Sequence, residues 1–152
     1  MKFSARKDVD MTAQALFRAL SDFDRLERIV RRNRAEVTAL DPGVEGTKAW
    51  DISFDWRGKR RVARFALTRH DPDEALRLNG SSESFDIVLD LTIVALTRAR
   101  SRVVCEVNLR PRTMKARLLI QTAKLSKGSL DSRFAQGVDR LVEQMVEGRM
   151  AA

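Results

Sequence analysis

Side chains able to do acid–base, nucleophilic or metal chemistry are few in this sequence of 152 residues. The one histidine, His70, lies beside Asp71 in a stretch that we predict to be a turn, and the spacing of its neighbours matches no zinc-binding pattern. The one cysteine, Cys105, lies in an alternating apolar stretch, which predicts a buried and unreactive thiol. There is no tyrosine and no glycine-rich phosphate loop. We therefore assign no catalytic residue, no metal ligand and no cofactor.

Two pairs of carboxylates have a spacing that could suggest paired acid–base groups. Asp51 and Asp55, and likewise Asp86 and Asp90, are four residues apart in the sequence. On a strand this spacing puts both members on one face but ~14 Å apart, at ~3.4 Å per residue. Because apolar residues alternate with them, we predict that they face solvent.

One alternating apolar stretch is the strongest candidate for a binding surface. In the sequence AWDISFDW, apolar side chains occupy every second position: Trp50, Ile52, Phe54 and Trp56. Two interpretations stay open, because such a stripe is either the core side of a half-buried strand or the wall of an apolar pocket. Trp56 falls at the predicted end of a hairpin and is expected to cap the sheet there.

The elements that position these residues follow from two periodicities. A first strand, from Phe3 to Met11, precedes two short amphipathic helices. Thr12 fits the N-cap of the first helix, and Ser21 with Asp24 fits the capping box of the second. From 35 to 111 the apolar period is mostly two, and strands joined by short turns predict an antiparallel meander. The predicted strands are 36–40, 47–56, 59–69, 75–79, 84–97 and 102–110, with a turn at Asp41-Pro42-Gly43 and Gly46 between the first two.

The helical period returns after 111. One apolar stripe consists of Met114, Leu118, Thr122 and Leu125, and a second consists of Leu130, Phe134, Val138, Leu141 and Met145. A glycine costs about 1 kcal/mol in a helix interior. The segment is therefore predicted to be either two helices or one long helix kinked near Gly128.

These elements predict an α+β fold: a curved antiparallel sheet of about seven strands, two short helices after the first strand, and a long C-terminal helix across the concave face. The stretch VDMTAQALFRALSDFDRLERIV resembles the opening of the START-like superfamily, which includes polyketide cyclase/dehydrase and coenzyme-Q-binding groups. MKARLLIQTAKLSKGSLDSRFAQGVDRLVEQMV resembles its closing helix. The resemblance implies a single START-like domain over 1–152 with the helix-grip fold.

The resemblance also implies a function. Members commonly hold a lipid, sterol, polyketide or quinone between the sheet and the C-terminal helix, so we expect this protein to bind or carry a hydrophobic small molecule. A cyclase or dehydratase acting in the same cavity is an alternative, and a basic surface module for nucleic acid or anionic membrane is another. The candidate ligand-binding residues are Trp50, Ile52, Phe54, Phe65, Leu89, Leu91, Cys105, Val107, Leu118 and Thr122.

The net charge of +8 bears on partners. Basic residues gather at predicted turns: Arg57, Lys59, Arg60 and Arg61; Arg98, Arg100 and Arg102; Arg110, Arg112, Lys115 and Arg117. Solvated hairpin tips are the first interpretation, and an anionic membrane surface or acidic partner is the second. Nucleic acid is less favoured, because no motif for it is visible. The N-terminus lacks an apolar signal region, and no apolar run is long enough for a bilayer, so we expect a cytoplasmic protein. The oligomeric state is not predicted.

Overall fold

The computed structural model describes residues 1–40 and 47–149, and within them the chain forms seven strands and four helices. In chain order these are β1 Lys2–Val9, α1 Ala13–Leu20, α2 Phe23–Arg32, β2 Glu36–Ala39, β3 Ala49–Trp56, β4 Lys59–Asp71, β5 Ala75–Ser82, β6 Phe85–Ala95, β7 Ser101–Pro111, α3 Met114–Lys124 and α4 Lys127–Val146. The predicted turn at Asp41-Pro42-Gly43 and Gly46 lies outside the described residues.

The strands form one curved antiparallel sheet in the order β1-β7-β6-β5-β4-β3-β2. The meander from β2 to β7 pairs each strand with its predecessor, and β1 completes the sheet by pairing with β7. The β3–β4 turn has positive φ at both Arg57 and Gly58, as a two-residue hairpin requires. The predicted α+β helix-grip fold is therefore confirmed.

The two short helices start where the sequence places them, but one cap differs. The Thr12 side chain accepts a hydrogen bond from the Ala15 amide at 3.0 Å, as predicted for the N-cap of α1. At α2, however, the N-cap is Asp22, whose carboxylate accepts from the Arg25 amide at 3.2 Å. Ser21 instead ends α1, and its hydroxyl donates to the Phe17 carbonyl at 2.7 Å. The predicted capping box was wrong because only two residues join the helices, and Ser21 is used by the first of them.

The C-terminal segment is two helices, and the break lies before Gly128. The amide of Leu125 donates to the Thr122 carbonyl, and that of Ser126 donates to the Ala123 carbonyl. These hydrogen bonds, each from an amide to the carbonyl three residues earlier, form a tighter 3₁₀-type turn that ends α3. Gly128 lies in the first turn of α4 with open space around it, so it is not the site of the break.

Helix α4 covers the β1 side of the concave face. The Phe134 ring lies 5.5 Å from the ring of Phe3 on β1. Further along α4, Val138, Val142 and Met145 are buried, the last beneath α1 and α2 in the main core. The stripe predicted beyond Gly128 therefore does face the sheet, although Leu141 remains exposed.

His70 lies in a strand rather than in the predicted turn. It pairs with Leu76 near the end of β4, beyond an irregularity between Leu67 and Arg69 that re-aims the strand. Its ring meets the edge of Phe17 at 5.2 Å. The irregularity interrupts the alternation of polar and apolar residues, so the sequence pattern ended the predicted strand at Arg69. The predicted turn position of His70 was therefore wrong.

The convex face of the sheet carries the carboxylates, as their alternation with apolar residues predicts. Three of its aspartates make two-bonded pairs with arginines on neighbouring strands: Asp51 with Arg64, Asp90 with Arg77, and Asp8 with Arg102. These pairs lower the pKa of Asp8 and of Asp51 through hydrogen bonds to the guanidinium groups. Their aspartates are half-buried at the boundary with solvent, so each pair adds a modest contribution to stability.

Candidate functional site

A cavity of about 210 Å³ lies between the concave face, helices α1 and α2, and the second half of α4. Sixteen of the residues that the structure describes line it; fifteen of these are apolar, and the other is Glu27. The lining consists of Leu20, Phe23, Leu26, Glu27, Val30, Val37, Trp50, Ile52, Phe65, Leu76, Leu78, Leu89, Leu91, Cys105, Leu141 and Met145. Such a wall favours an apolar occupant over water, which needs polar partners.

Trp50 forms one end of this wall and is held by α2. Its ring lies 5.2 Å from the Phe23 ring, and its indole N–H donates to the Glu27 carboxylate at 2.8 Å. The polar atom of the indole is thus satisfied by a residue of α2, and the ring face is left to the cavity. Glu27 also lies 3.9 Å from Arg31 one turn along. Among the described residues of the lining, Glu27 is the one charged side chain, and it is already engaged with two neighbours.

Phe65 forms another part of the wall, and a glycine makes room for it. Gly80 is directly opposite Phe65 in the β4–β5 pairing. A Cβ atom at position 80 would lie only 2.4 Å from Cε1 of the ring. Because glycine has no such atom, the ring lies flat over the backbone of β5, and cavity volume is preserved.

Cys105 contributes a buried thiol on β7. Burial is the main cause that raises the pKa of this thiol to about 12, with smaller contributions from Glu106 and Asp90. A thiol with so high a pKa is protonated at neutral pH and is a poor nucleophile. Its place in the wall is therefore that of a small apolar group.

The structure brings six of the ten predicted site residues to the cavity. These are Trp50, Ile52, Phe65, Leu89, Leu91 and Cys105. Phe54 lies two residues beyond Ile52 but lines a separate depression near the β3–β4 turn, with Trp56 and Arg61.

The other three lie elsewhere. Val107 pairs with Phe3, in the half of the sheet that Phe134 of α4 covers. Leu118 and Thr122 are exposed on α3, and the Thr122 hydroxyl donates to the Leu118 carbonyl. They were expected to face the cavity from the C-terminal helical segment, which was predicted to be either two helices or one kinked helix. The break at Leu125 and Ser126 gives that place to α4 instead.

Sequence reasoning missed the cavity residues on α1, α2 and α4. Phe23, Leu26 and Val30 form a visible apolar stripe on α2, and Leu141 and Met145 form one on α4. The stripes themselves were predicted from their periodicity. Periodicity shows only that a face is buried, and whether that face meets another side chain or a void depends on how the helices dock.

Comparison with known proteins identifies the fold. No family model matches the sequence, and no curated protein matches it. Among solved structures, the Zhui aromatase/cyclase from Streptomyces sp. R1128 is similar over 97% of this chain and 96% of its own, with 15% identity and a TM-score of 0.63. A START superfamily protein from Mycobacterium smegmatis is similar over 89% and 97%, with 15% identity and a TM-score of 0.57.

A third similar structure is the di-domain ARO/CYC StfQ from the steffimycin biosynthetic pathway. It matches 99% of this chain and 52% of its own, with 12% identity and a TM-score of 0.70. The chain therefore has a START-like, helix-grip fold. None of the helices within the described residues is long and apolar enough to cross a membrane.

Proposed function

We propose that the protein binds a hydrophobic small molecule in the cavity between the sheet, α2 and α4. The observation that carries this proposal is the lining, in which fifteen of sixteen residues are apolar. A packed core would fill this space with side chains, because protein interiors reach crystal-like density. The similar structures described as aromatase/cyclases and as a START protein support a hydrophobic ligand, of the lipid, polyketide or quinone class.

The cavity supports binding better than catalysis. A cyclase or dehydratase needs a group that can donate or accept a proton at the substrate. In the lining, the Cys105 thiol has a pKa near 12, and the Glu27 carboxylate is hydrogen-bonded to the Trp50 indole. The enzyme alternative would therefore have to use Glu27 and release Trp50 during the reaction.

Ligand entry is best placed between α2 and α4. Leu141 lines the cavity and is also exposed, so the wall meets solvent beside it. Beyond this point, Arg149 and Asp22 join the end of α4 to the start of α2 through a 2.5 Å ion pair. Apolar surface removed from water would drive binding, at about 25 cal/mol per Å² less the cost of ordering the ligand.

The test uses N-phenyl-1-naphthylamine, an uncharged aromatic probe excited directly so that tryptophan emission does not interfere. We expect one probe per chain and an at least tenfold loss of affinity in Leu89→Trp, because the larger side chain fills the cavity. Val94→Trp on the same strand is the matched control, since Val94 is exposed and outside the lining. Absence of probe binding to the unmodified protein, or equal losses in both variants, would refute the proposal.

Two expectations from the sequence stay predictions. One is that 1–152 form a single domain, and the other is a cytoplasmic location. Limited proteolysis of the full chain tests the first, because a single domain should give no stable fragment smaller than the core of sheet and α4. Fractionation of cells that express the chain tests the second.

A further inference from the structure

Helix α3 and its C-cap residue, Leu125, carry an exposed apolar stripe that the fold does not use. Met114, Leu118 and Leu125 are 67%, 56% and 88% exposed. At about 100° per residue they fall within an arc of about 40° on the helix. The opposite side of α3 already packs on the protein, since Ala116 and Ile120 are buried there. The stripe is therefore additional to the core-facing side, and we call it the α3 stripe.

Cations flank the α3 stripe, and of these the two outermost, Arg112 and Lys127, are paired with Asp86 and Asp131. From 112 to 130 the sequence contains no aspartate or glutamate and five basic residues: Arg112, Lys115, Arg117, Lys124 and Lys127. Lys115 lies to one side of the stripe, and Arg117 and Lys124 lie to the other. Among the described residues, none of these three takes part in an ion pair.

The positive charge extends to the junction of α3 with α4. The pKa of the Met1 ammonium group is lowered, first by burial and then by repulsion from Lys124, Lys127 and Lys2. Repulsion of this kind is relieved when an anionic surface approaches. Charge and exposed apolar area thus coincide on one helix.

We propose that the α3 stripe docks onto an anionic lipid bilayer, with Met114, Leu118 and Leu125 in the headgroup–acyl boundary and the flanking cations against lipid phosphates. An apolar face bordered by basic residues with aliphatic stems is the pattern of helices that lie in a membrane interface. A second copy of the chain fits less well, because a self-contact would bring the same cations together. This inference goes beyond the ligand cavity and does not depend on it.

The main experiment is vesicle co-sedimentation of the full chain. Vesicles of phosphatidylcholine alone are compared with an equal mixture of phosphatidylcholine and phosphatidylglycerol. We expect binding to the mixed vesicles only, falling steeply with added salt. The double variant Leu118→Gln/Leu125→Gln should lose at least tenfold in partitioning, because two exposed leucines no longer leave water.

The matched control is Val94→Gln/Leu96→Gln. These two residues are also exposed apolar side chains, 43% and 39%, but they lie at the β6–β7 turn, at the opposite end of the sheet from the start of α3. The control should partition like the unmodified protein. Both double variants replace exposed groups, and unfolding curves should show both to be folded.

A second measurement reports the position of the stripe. In a Trp56→Phe background, Leu125→Trp should be quenched by brominated lipid, whereas Val94→Trp should not. No binding of the unmodified protein to mixed vesicles at low salt would overturn the proposal, and so would equal losses in the two double variants. A dimer in light scattering that Leu118→Gln/Leu125→Gln dissociates would also overturn it, because the stripe would then be a self-interface.

Discussion

Replacing Gly80 with alanine should push the Phe65 ring into the cavity. The new methyl group would lie 2.4 Å from Cε1 and 2.7 Å from Cδ1, whereas ordinary contacts begin at 3.4 Å. The difference of 1.0 Å from 3.4 to 2.4 is the minimum shift of the ring edge. The backbone of β5 blocks movement of the ring toward the sheet, so the ring moves into the cavity that Phe65 lines.

The size of the effect follows from two opposing contributions. Overpacking a site costs about 1–3 kcal/mol. Alanine in place of glycine restores about 0.4–1 kcal/mol, because it reduces the freedom of the unfolded chain. The free energy of unfolding should therefore fall by about 0–2.5 kcal/mol. Probe affinity should fall more clearly, since the displaced ring occupies volume that the probe needs.

A double-mutant cycle tests this reasoning. Denaturant unfolding and N-phenyl-1-naphthylamine titration are measured for Gly80→Ala, Phe65→Leu and the double variant. Because leucine leaves room for the methyl group, the two substitutions should couple favourably by about 0.5–3 kcal/mol. Gly137→Ala is the control: its site in α4 is open, so it should stabilise the protein by about 0.5–1 kcal/mol.

Two results would contradict the reasoning. If Gly80→Ala keeps full probe affinity, Phe65 does not limit the cavity. If the coupling energy is zero, the ring does not lie over position 80.

Three further predictions concern acid stability, the thiol and α4. Arginine partners hold the pKa of Asp8 and of Asp51 below its usual range. The stabilisation from these pairs is therefore present above about pH 3.9 and is lost as pH falls through the lowered pKa. In Asp8→Asn the free energy of unfolding should change less with pH in that acid range, and an unchanged acid-unfolding curve would contradict this. The Cys105 thiol, with a pKa of about 12, should resist iodoacetamide in the native protein and react only after unfolding, which mass spectrometry can follow. A chain truncated after Ser126 loses α4 and should aggregate or unfold without cooperativity; a monomeric, cooperatively folding fragment would show that α4 is not needed to cover the sheet.

Most of the fold could be predicted from the sequence because its periods are strong. The alternation from β3 to β7 gives the meander and assigns the carboxylates to the convex face. The N-cap at Thr12 has a side chain whose partner is three residues away, so local chemistry determines it. Local chemistry failed where two elements compete for one residue, as at Ser21, which ends α1 instead of starting α2.

The candidate site could be predicted only on the sheet. Register carries Trp50, Phe65 and Leu89 to one face, and the cavity uses all three. Which residues of the C-terminal segment reach the cavity depends on where that segment breaks into two helices. The sequence placed the break near Gly128, whereas hydrogen bonds ending at Leu125 and Ser126 fix it slightly earlier. Leu118 lies exposed on α3 and not in the cavity, and its apolar stripe did not predict this.

The ion pairs of the convex face have a consequence for the charge distribution of the whole molecule. They neutralise that surface locally, while the stretch from 112 to 130 holds five positive charges and no negative ones. The α3 segment is thus a local excess of positive charge. An anionic surface should attract this excess before contact is made and favour approaches in which α3 leads. Added salt should therefore slow the arrival of the protein at such a surface far more than it speeds its departure.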